Sequence, residues 1–356
     1  MLKGLSRRLR STDGGDERAG AGAETERELA EQIAELTAAN AASRSLDRER
    51  ELLRLRHRLG NIYLGEGRTP PEPRSREFPA LGESGLASVD PGELDGELVR
   101  GGIETHGYVL VRGLVDRDVA SRLADRIESV FQDSTAERGH RAGLFEEFAA
   151  QPPSEPIGRR QWITAGGGVL AADSPPAFFD LVDAFEQAGL RRVISEFLDE
   201  PVTVSVQKST LRRAEPGPAG GWHQDGSFMG KTRALNVWLA LSDCGVDAPG
   251  LDFVPRRFEE LVPTGGIGSG VEHVDAPEAE EGVTMKTVLV GTADVETVAG
   301  SGVMSPRFEP GDVMLFDDLF LHRTGSDPAM TKPRYAIESW FFGASGFPRD
   351  YAPLAF

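Results

Sequence analysis

One cysteine, Cys244, stands in 356 residues. A single thiol excludes an intramolecular disulfide and any multi-cysteine zinc site, and suits a reducing compartment. No run of about 18 apolar residues occurs, so no segment reads as a membrane-spanning helix. Positive charge is also scarce: 39 Lys and Arg face 57 Asp and Glu, for a net charge of −18. That deficit argues against a partner of nucleic acid, because no excess positive field exists to displace counterions. It argues equally against polybasic docking on an anionic membrane. The start, MLKGLSRRLRSTDGGD, is basic but lacks the apolar core of a secretory signal. The expectation is a cytoplasmic protein, and at 39% hydrophobic the chain can bury a substantial core.

The charge is unevenly spread. Residues 1–76 carry 15 basic and 13 acidic side chains, a net of +2, which leaves −20 on the remainder. Residues 1–23, polar and rich in Gly and Ala over 11–23, are expected to be disordered. Residues 24–66 read as a helical arm. Leu29, Ile33 and Leu36 follow helical spacing, as do Leu52, Leu55, Leu59 and Ile62, and the stretch 37–45 lacks large apolar groups and breaks the register. Two helical segments with a weak hinge fit better than one coiled coil, which needs three or four unbroken heptads. Such an arm either lies on its own domain or serves homodimerisation or partner docking through 24–64. Residues 67–80 are Pro-rich and read as a linker, and 81–356 read as the main domain.

Within that domain helices come first. Residues 94–106, 116–132 and 178–198 have helical periodicity, with a short apolar strand at 107–113. From Val202 onward short β-rich runs dominate, at 202–211, 234–241, 251–254, 284–290, 313–316 and 335–342. The expected fold is α+β: a jelly-roll core, cupin-like, with flanking helices and the N-terminal helical arm. Residues 264–302 form a long Gly-rich, acidic insert that reads either as a lid or as plain surface.

The most informative segment is Gly221-Trp-His-Gln-Asp-Gly226. On a strand, His223 and Asp225 at i and i+2 point to one face, so an imidazole and a carboxylate converge. A second histidine from a neighbouring strand completes a 2-His-1-carboxylate set, the ligand pattern of non-haem Fe(II) with positions left open for substrate and O2. Of the other histidines, His57, His106, His140 and His273 read as surface or locally hydrogen-bonded. His322 follows a turn and strand, FEPGDVMLF, and several strands separate it from Asp225, enough to return it across a barrel. Arg334 opens the last long apolar strand. It reads either as the cation for the distal carboxylate of a chelating dicarboxylate or as a strand-end arginine paired with an acidic neighbour. Thr324, two residues after His322, adds a hydroxyl on the same strand face.

These motifs, in this order, resemble the phytanoyl-CoA dioxygenase family of Fe(II)/2-oxoglutarate-dependent oxygenases. GYVLVRGLVDRDVASRL (107–123) is similar to its first strand and helix, and LRRVISEFLDEPVTVSVQKSTLRR (190–213) to its helix and first barrel strand. WHQDGSF (222–228) resembles its His-x-Asp motif, NVWLALSD (236–243) the following strand, and APGLDFVP (248–255) the next turn and strand. FEPGDVMLFDDLFLHRTGSD (308–327) resembles its distal histidine segment, and KPRYAIESWF (332–341) the strand bearing its 2-oxoglutarate arginine. The resemblance implies a double-stranded β-helix fold, and His223, Asp225 and His322 as iron ligands. It implies Arg334, assisted by Thr324, on 2-oxoglutarate, with Trp238 beside that co-substrate. Gln224 is left either near the substrate or structural, and only one of Gln207 and Lys208 can point inward.

The implied activity is a dioxygenase using Fe(II), 2-oxoglutarate and O2. Related halogenases have a small residue where Asp225 stands, so hydroxylation is the default. A domain of net −20 is a poor field for a polyanionic CoA ester, although Arg212, Arg213, Arg256 and Arg257 offer a local offset. The expected substrate is therefore a small specialised metabolite hydroxylated at an unactivated carbon; the alternatives are acyl-CoA 2-hydroxylation and a catalytically silent barrel that binds a partner. Where the family often has Gly-Ser-His, this chain has Arg256-Arg257-Phe258, a departure at a loop that commonly lines the entrance.

Overall fold

A computed structural model describes residues 15–65, 69–135, 143–158, 160–230, 232–264, 288–299 and 302–356. The chain opens with α1 (Gly15–Ala42) and α2 (Leu46–Tyr63), which break where the register was expected to fail. α1 begins inside the stretch expected to be disordered. A helix seated by Leu29, Ile33 and Leu36 propagates backward through Ala, Glu and Arg, all good helix formers.

α2 is no free arm. Leu52, Leu53, Leu55 and Leu59 are each at most 5% exposed, and they share one core with the sheet residues. Burying four leucines is worth roughly 1.5–3 kcal/mol each, comparable in sum to the stability of a whole domain. Polar groups lock the same face. Arg56 Nη1 donates to Ala355 O at 2.8 Å. The His57 ring donates from Nδ1 to Pro353 O at 2.8 Å and accepts from Gln151 N at 3.0 Å. A Cβ on Gly60 would lie 3.0 Å from Pro353, so glycine permits this close approach to the chain's last strand.

The middle of the chain runs β1 (Ser88–Val89), α3 (Gly96–His106), β2 (Tyr108–Val111), α4 (Arg117–Ser134), α5 (Arg160–Ala165), β3 (Gly168–Leu170), α6 (Pro175–Gln187) and α7 (Leu190–Leu198). Side chains fix the helix starts: Asp95 accepts from Leu98 N, and Asp116 from Asp118 N and Val119 N. α3 ends at Gly107, whose φ of +85° is the left-handed turn favoured by glycine, with Arg256 O against the missing side chain.

Strands then dominate: β4 (Val202–Ala214), β5 (Trp222–His223), β6 (Ala234–Ala240), β7 (Gly250–Phe253), β8 (Leu289–Val290), β9 (Val313–Phe316), β10 (His322–Gly325), β11 (Arg334–Gly343) and β12 (Pro353–Ala355). Short helices α8 (Gly226–Met229) and α9 (Thr292–Ala299) follow β5 and β8. One sheet orders β1-β2-β9-β6-β11-β4-β12, with β3 also on β4, and the other orders β7-β10-β5-β8. Between β4 and β11 the chain passes repeatedly from one sheet to the other. β6 is buried at every position because both its faces are covered. α7 packs on β4, β6 and β11, while Asn236 and Trp238 face inward. β8 and α9 lie within the insert 264–302; residues 265–287, with His273 and most of the expected strand 284–290, fall outside the described residues, as does His140. No described helix is long and apolar enough to cross a membrane.

Candidate metal centre

The first site histidine ends β5 and the second begins β10, and the two strands pair with His223 directly opposite His322. Their ring centroids are 4.5 Å apart. Asp225 arrives differently from the expectation. It lies beyond the end of β5, in helical backbone (φ −63°, ψ −23°) at the start of α8, whose amides at Phe228 and Met229 donate to its carbonyl. The turn, not strand alternation, swings its carboxylate toward the histidines. One ligand atom from each of His223, Asp225 and His322 lies within 4.8 Å of the others.

The protonation pattern fits a cation. His223 Nδ1 donates to Gly221 O at 2.9 Å and His322 Nδ1 to Phe320 O at 3.0 Å; a carbonyl only accepts, so Nδ1 carries the hydrogen and Nε2 is left as a lone-pair donor. Burial, and then the neighbouring His223, push His322 down to about 4, so it is a neutral imidazole at physiological pH. Phe316 and Phe320 pack on its ring at 5.1 and 5.5 Å and keep water away. Asp225 Oδ2 is buried, lies 3.8 Å from His322 Nε2 and has no hydrogen-bond partner. A bare carboxylate oxygen facing two imidazole nitrogens is a donor set that suits a divalent metal.

Lys208 is the site residue that sequence reasoning left undecided. It points inward from β4, and its Nζ donates to Asp225 Oδ1 at 2.6 Å while lying 4.8 Å from the Phe228 ring centre. Gln207 turns the other way, to Asp350 O and Ala352 N. Burial alone would raise the Asp225 carboxyl, but Lys208 and the two histidines hold it well below the usual carboxylate range. Gln224 proves structural: its Nε2 donates to Leu319 O at 2.6 Å and its Oε1 accepts from Val262 N at 2.6 Å, tying two loops beside the site.

Arg334, at the start of β11, is 4% exposed. Nη1 donates to Gly250 O at 3.1 Å, Cζ sits 5.6 Å from the Trp238 ring centre, and Nε has no partner. Among the described residues no acid pairs with it, contrary to the reading of a strand-end ion pair. Burial lowers it to about 10, which still leaves it charged. Thr324 lies nearby on β10, opposite Leu251, next to the strand position whose carbonyl Arg334 binds. Asn236, also inward on β6, is fully buried with neither amide atom partnered. Buried polar groups without protein partners suit a polar ligand.

Residues 103–257 match the model of the phytanoyl-CoA dioxygenase (PhyH) family. The match covers less than half of the chain, and together with the His–Asp–His group it makes the chain similar to the 2-oxoglutarate-dependent non-haem iron dioxygenases. The matched stretch ends before His322 and Arg334, which the sheets bring back to it. No curated protein matches the chain. Among solved structures, EctD from S. alaskensis with bound Fe is 16% identical over 77% of this chain and 84% of its own, with a TM-score of 0.46. AviO1 from Streptomyces viridochromogenes Tue57 is 20% identical over 72% of this chain and 98% of its own, at 0.44. The carbocyclase SnoK from nogalamycin biosynthesis is 15% identical over 74% and 89%, at 0.46.

Proposed function

We propose that this chain is a cytoplasmic Fe(II)- and 2-oxoglutarate-dependent dioxygenase that hydroxylates an unactivated carbon of a small specialised metabolite. The observation that carries the reading is the pairing of a bare His223–Asp225–His322 cluster with a buried, acid-free Arg334 in one interior. The strand alternation between two sheets supports a double-stranded β-helix.

In this reading His223 and His322 hold the iron through Nε2 and Asp225 through Oδ2. Arg334 receives the distal carboxylate of 2-oxoglutarate, Trp238 walls it, and Thr324 and Asn236 offer hydrogen bonds. Fe(II), with 2-oxoglutarate and O2, supplies the oxidising power for hydroxylation, with succinate and CO2 as by-products. The chain's own contribution is geometry, a neutral His322, and the exclusion of water by Phe228, Phe316 and Phe320.

Three of the four arginines that were candidates for a CoA ester, Arg212, Arg213 and Arg257, are paired with acids, which supports a small substrate. Arg212 binds Glu338 at 2.9 Å, and Arg213 pairs with Glu128 and Glu215. Arg257 pairs with Asp317 and Glu259, and Arg256 donates to Val298 O and stacks on Phe258. The test is an anaerobic titration with Fe(II) and 2-oxoglutarate, followed by succinate release against a panel of acyl-CoA esters and uncharged metabolites. A charge-transfer band that vanishes in His223→Ala is expected. Its absence from folded wild-type protein would sink the oxygenase reading, and turnover confined to acyl-CoA would sink the substrate reading.

A further inference from the structure

The two oxygens of Asp225 are treated differently by the fold. Oδ1 receives Lys208 Nζ at 2.6 Å, and Oδ2 receives nothing and faces His322 Nε2 at 3.8 Å. Both side chains are nearly closed to solvent, at 16% and 4% exposure. Lys208 is itself fixed, by its strand and by the Phe228 ring against its ammonium.

We propose that Lys208 is a positioning residue that confines Asp225 to ligation through Oδ2 alone and thereby favours binding of the dianionic co-substrate. The inference rests on the iron and 2-oxoglutarate reading of the site. An ionised carboxylate can accept at both oxygens and so can chelate a metal with both. An ammonium held on Oδ1 blocks that second contact and keeps the positions needed by a chelating dicarboxylate free. Lys208 also neutralises Asp225 electrostatically, so the metal's positive charge stays available to a dianion. Both effects act in the same direction on the co-substrate. On the metal they act in the opposite direction, because a buried cation repels another only a few ångströms away. Lys208 thus trades affinity for the metal against affinity for 2-oxoglutarate. A lysine that merely propped Asp225 in place would support both.

The experiment uses the full chain, with Co(II) and 2-oxoglutarate as probes. Wild type is compared with Lys208→Met, Lys208→Gln and Lys208→Arg, after thermal melting has established that each is folded. The Gln variant keeps a polar group and carries the test where Met does not fold. Expected is that Met and Gln hold Co(II) at least as tightly as wild type, with a changed visible spectrum before co-substrate is added. Their 2-oxoglutarate affinity on the Co(II)-loaded protein falls about tenfold, within the range of second-layer substitutions around metals. Lys208→Arg, which keeps charge and donors, recovers that affinity. Loss of Co(II) affinity in Met and Gln would reduce Lys208 to a prop and overturn the proposal. So would unchanged 2-oxoglutarate affinity, or an Arg variant that behaves like Met. If 2-oxoglutarate leaves the spectrum of Co(II)-loaded wild type unchanged, the co-substrate reading itself fails and this proposal with it; normal wild-type behaviour beside unaffected variants overturns the role of Lys208 only.

Discussion

Arg334→Met separates a residue kept for binding from one kept for folding. A guanidinium lowered from 12.5 to about 10 by burial carries about 3 kcal/mol of unfavourable desolvation in the ligand-free protein, at 1.36 kcal/mol per pKa unit. Against this stand its hydrogen bond to Gly250 O, worth about 1–2 kcal/mol, and its contact with Trp238, worth about 1 kcal/mol. These nearly cancel, so methionine is expected to leave apo stability within about 1 kcal/mol of wild type, as for other replacements of buried charge by apolar side chains. Binding behaves differently. Losing a charge-assisted pair of about 3 kcal/mol weakens 2-oxoglutarate on metal-loaded protein about a hundredfold. Urea unfolding of the apo form and 2-oxoglutarate titration of the Co(II) form measure the two quantities. A variant destabilised by about 3 kcal/mol or more, with 2-oxoglutarate affinity changed less than about threefold, would refute the reasoning and return Arg334 to a structural role.

Acid titration reads His322. Its imidazole protonates near 4 when folded and near 6.5 when exposed, so the unfolded chain binds the extra proton between those values. That stability is complete above about pH 6.5 and is lost, by about 3 kcal/mol, as pH falls toward 4; His322→Gln is expected to flatten this part of the stability profile. Gln224→Ala removes buried hydrogen bonds to Leu319 O and Val262 N, and is expected to cost about 2–4 kcal/mol in urea unfolding while Co(II) still binds. His57→Ala strands Pro353 O and Gln151 N beneath α2 and should cost about 2–4 kcal/mol with no change in 2-oxoglutarate affinity. A fall in that affinity would tie the arm to the site. Removing residues 1–64 exposes the core under α2 and is expected to give insoluble chain; a folded, monomeric truncate would show that α2 is dispensable.

Several features follow from local chemistry and were legible in the chain. The break between α1 and α2 falls where large apolar residues run out. β4, β6, β7, β9 and β11 coincide with β-rich runs between turn residues, and Asp95 and Asp116 cap helices that begin beside them. His223 and Asp225 are close in sequence and were bound to be close in space. His322 was picked out because a turn and a strand precede it. Local pattern misled at two places. Asp225 reaches the histidines through a helical turn beyond its strand, and a stretch read as disordered enters α1, because a helix seated by its neighbours extends through residues without large apolar groups.

Sequence alone determined which side chains were available: two histidines and an aspartate with metal-ligand chemistry, an arginine on the last long strand, and one cysteine too few for an intramolecular disulfide. Tertiary structure decided what each one does. Period-two alternation says that only one of Gln207 and Lys208 faces inward, and the direction is fixed only when β4 pairs with β11 and β12. Arg212 and Arg213 are engaged because residues remote in sequence, Glu338 and Glu128, fold against them. Among the described residues Arg334 lacks such a partner, and Asp225 has one oxygen bound and one bare. Charge compensation in a protein interior depends on which groups lie within a few ångströms, and that distance is set by sheet register and packing.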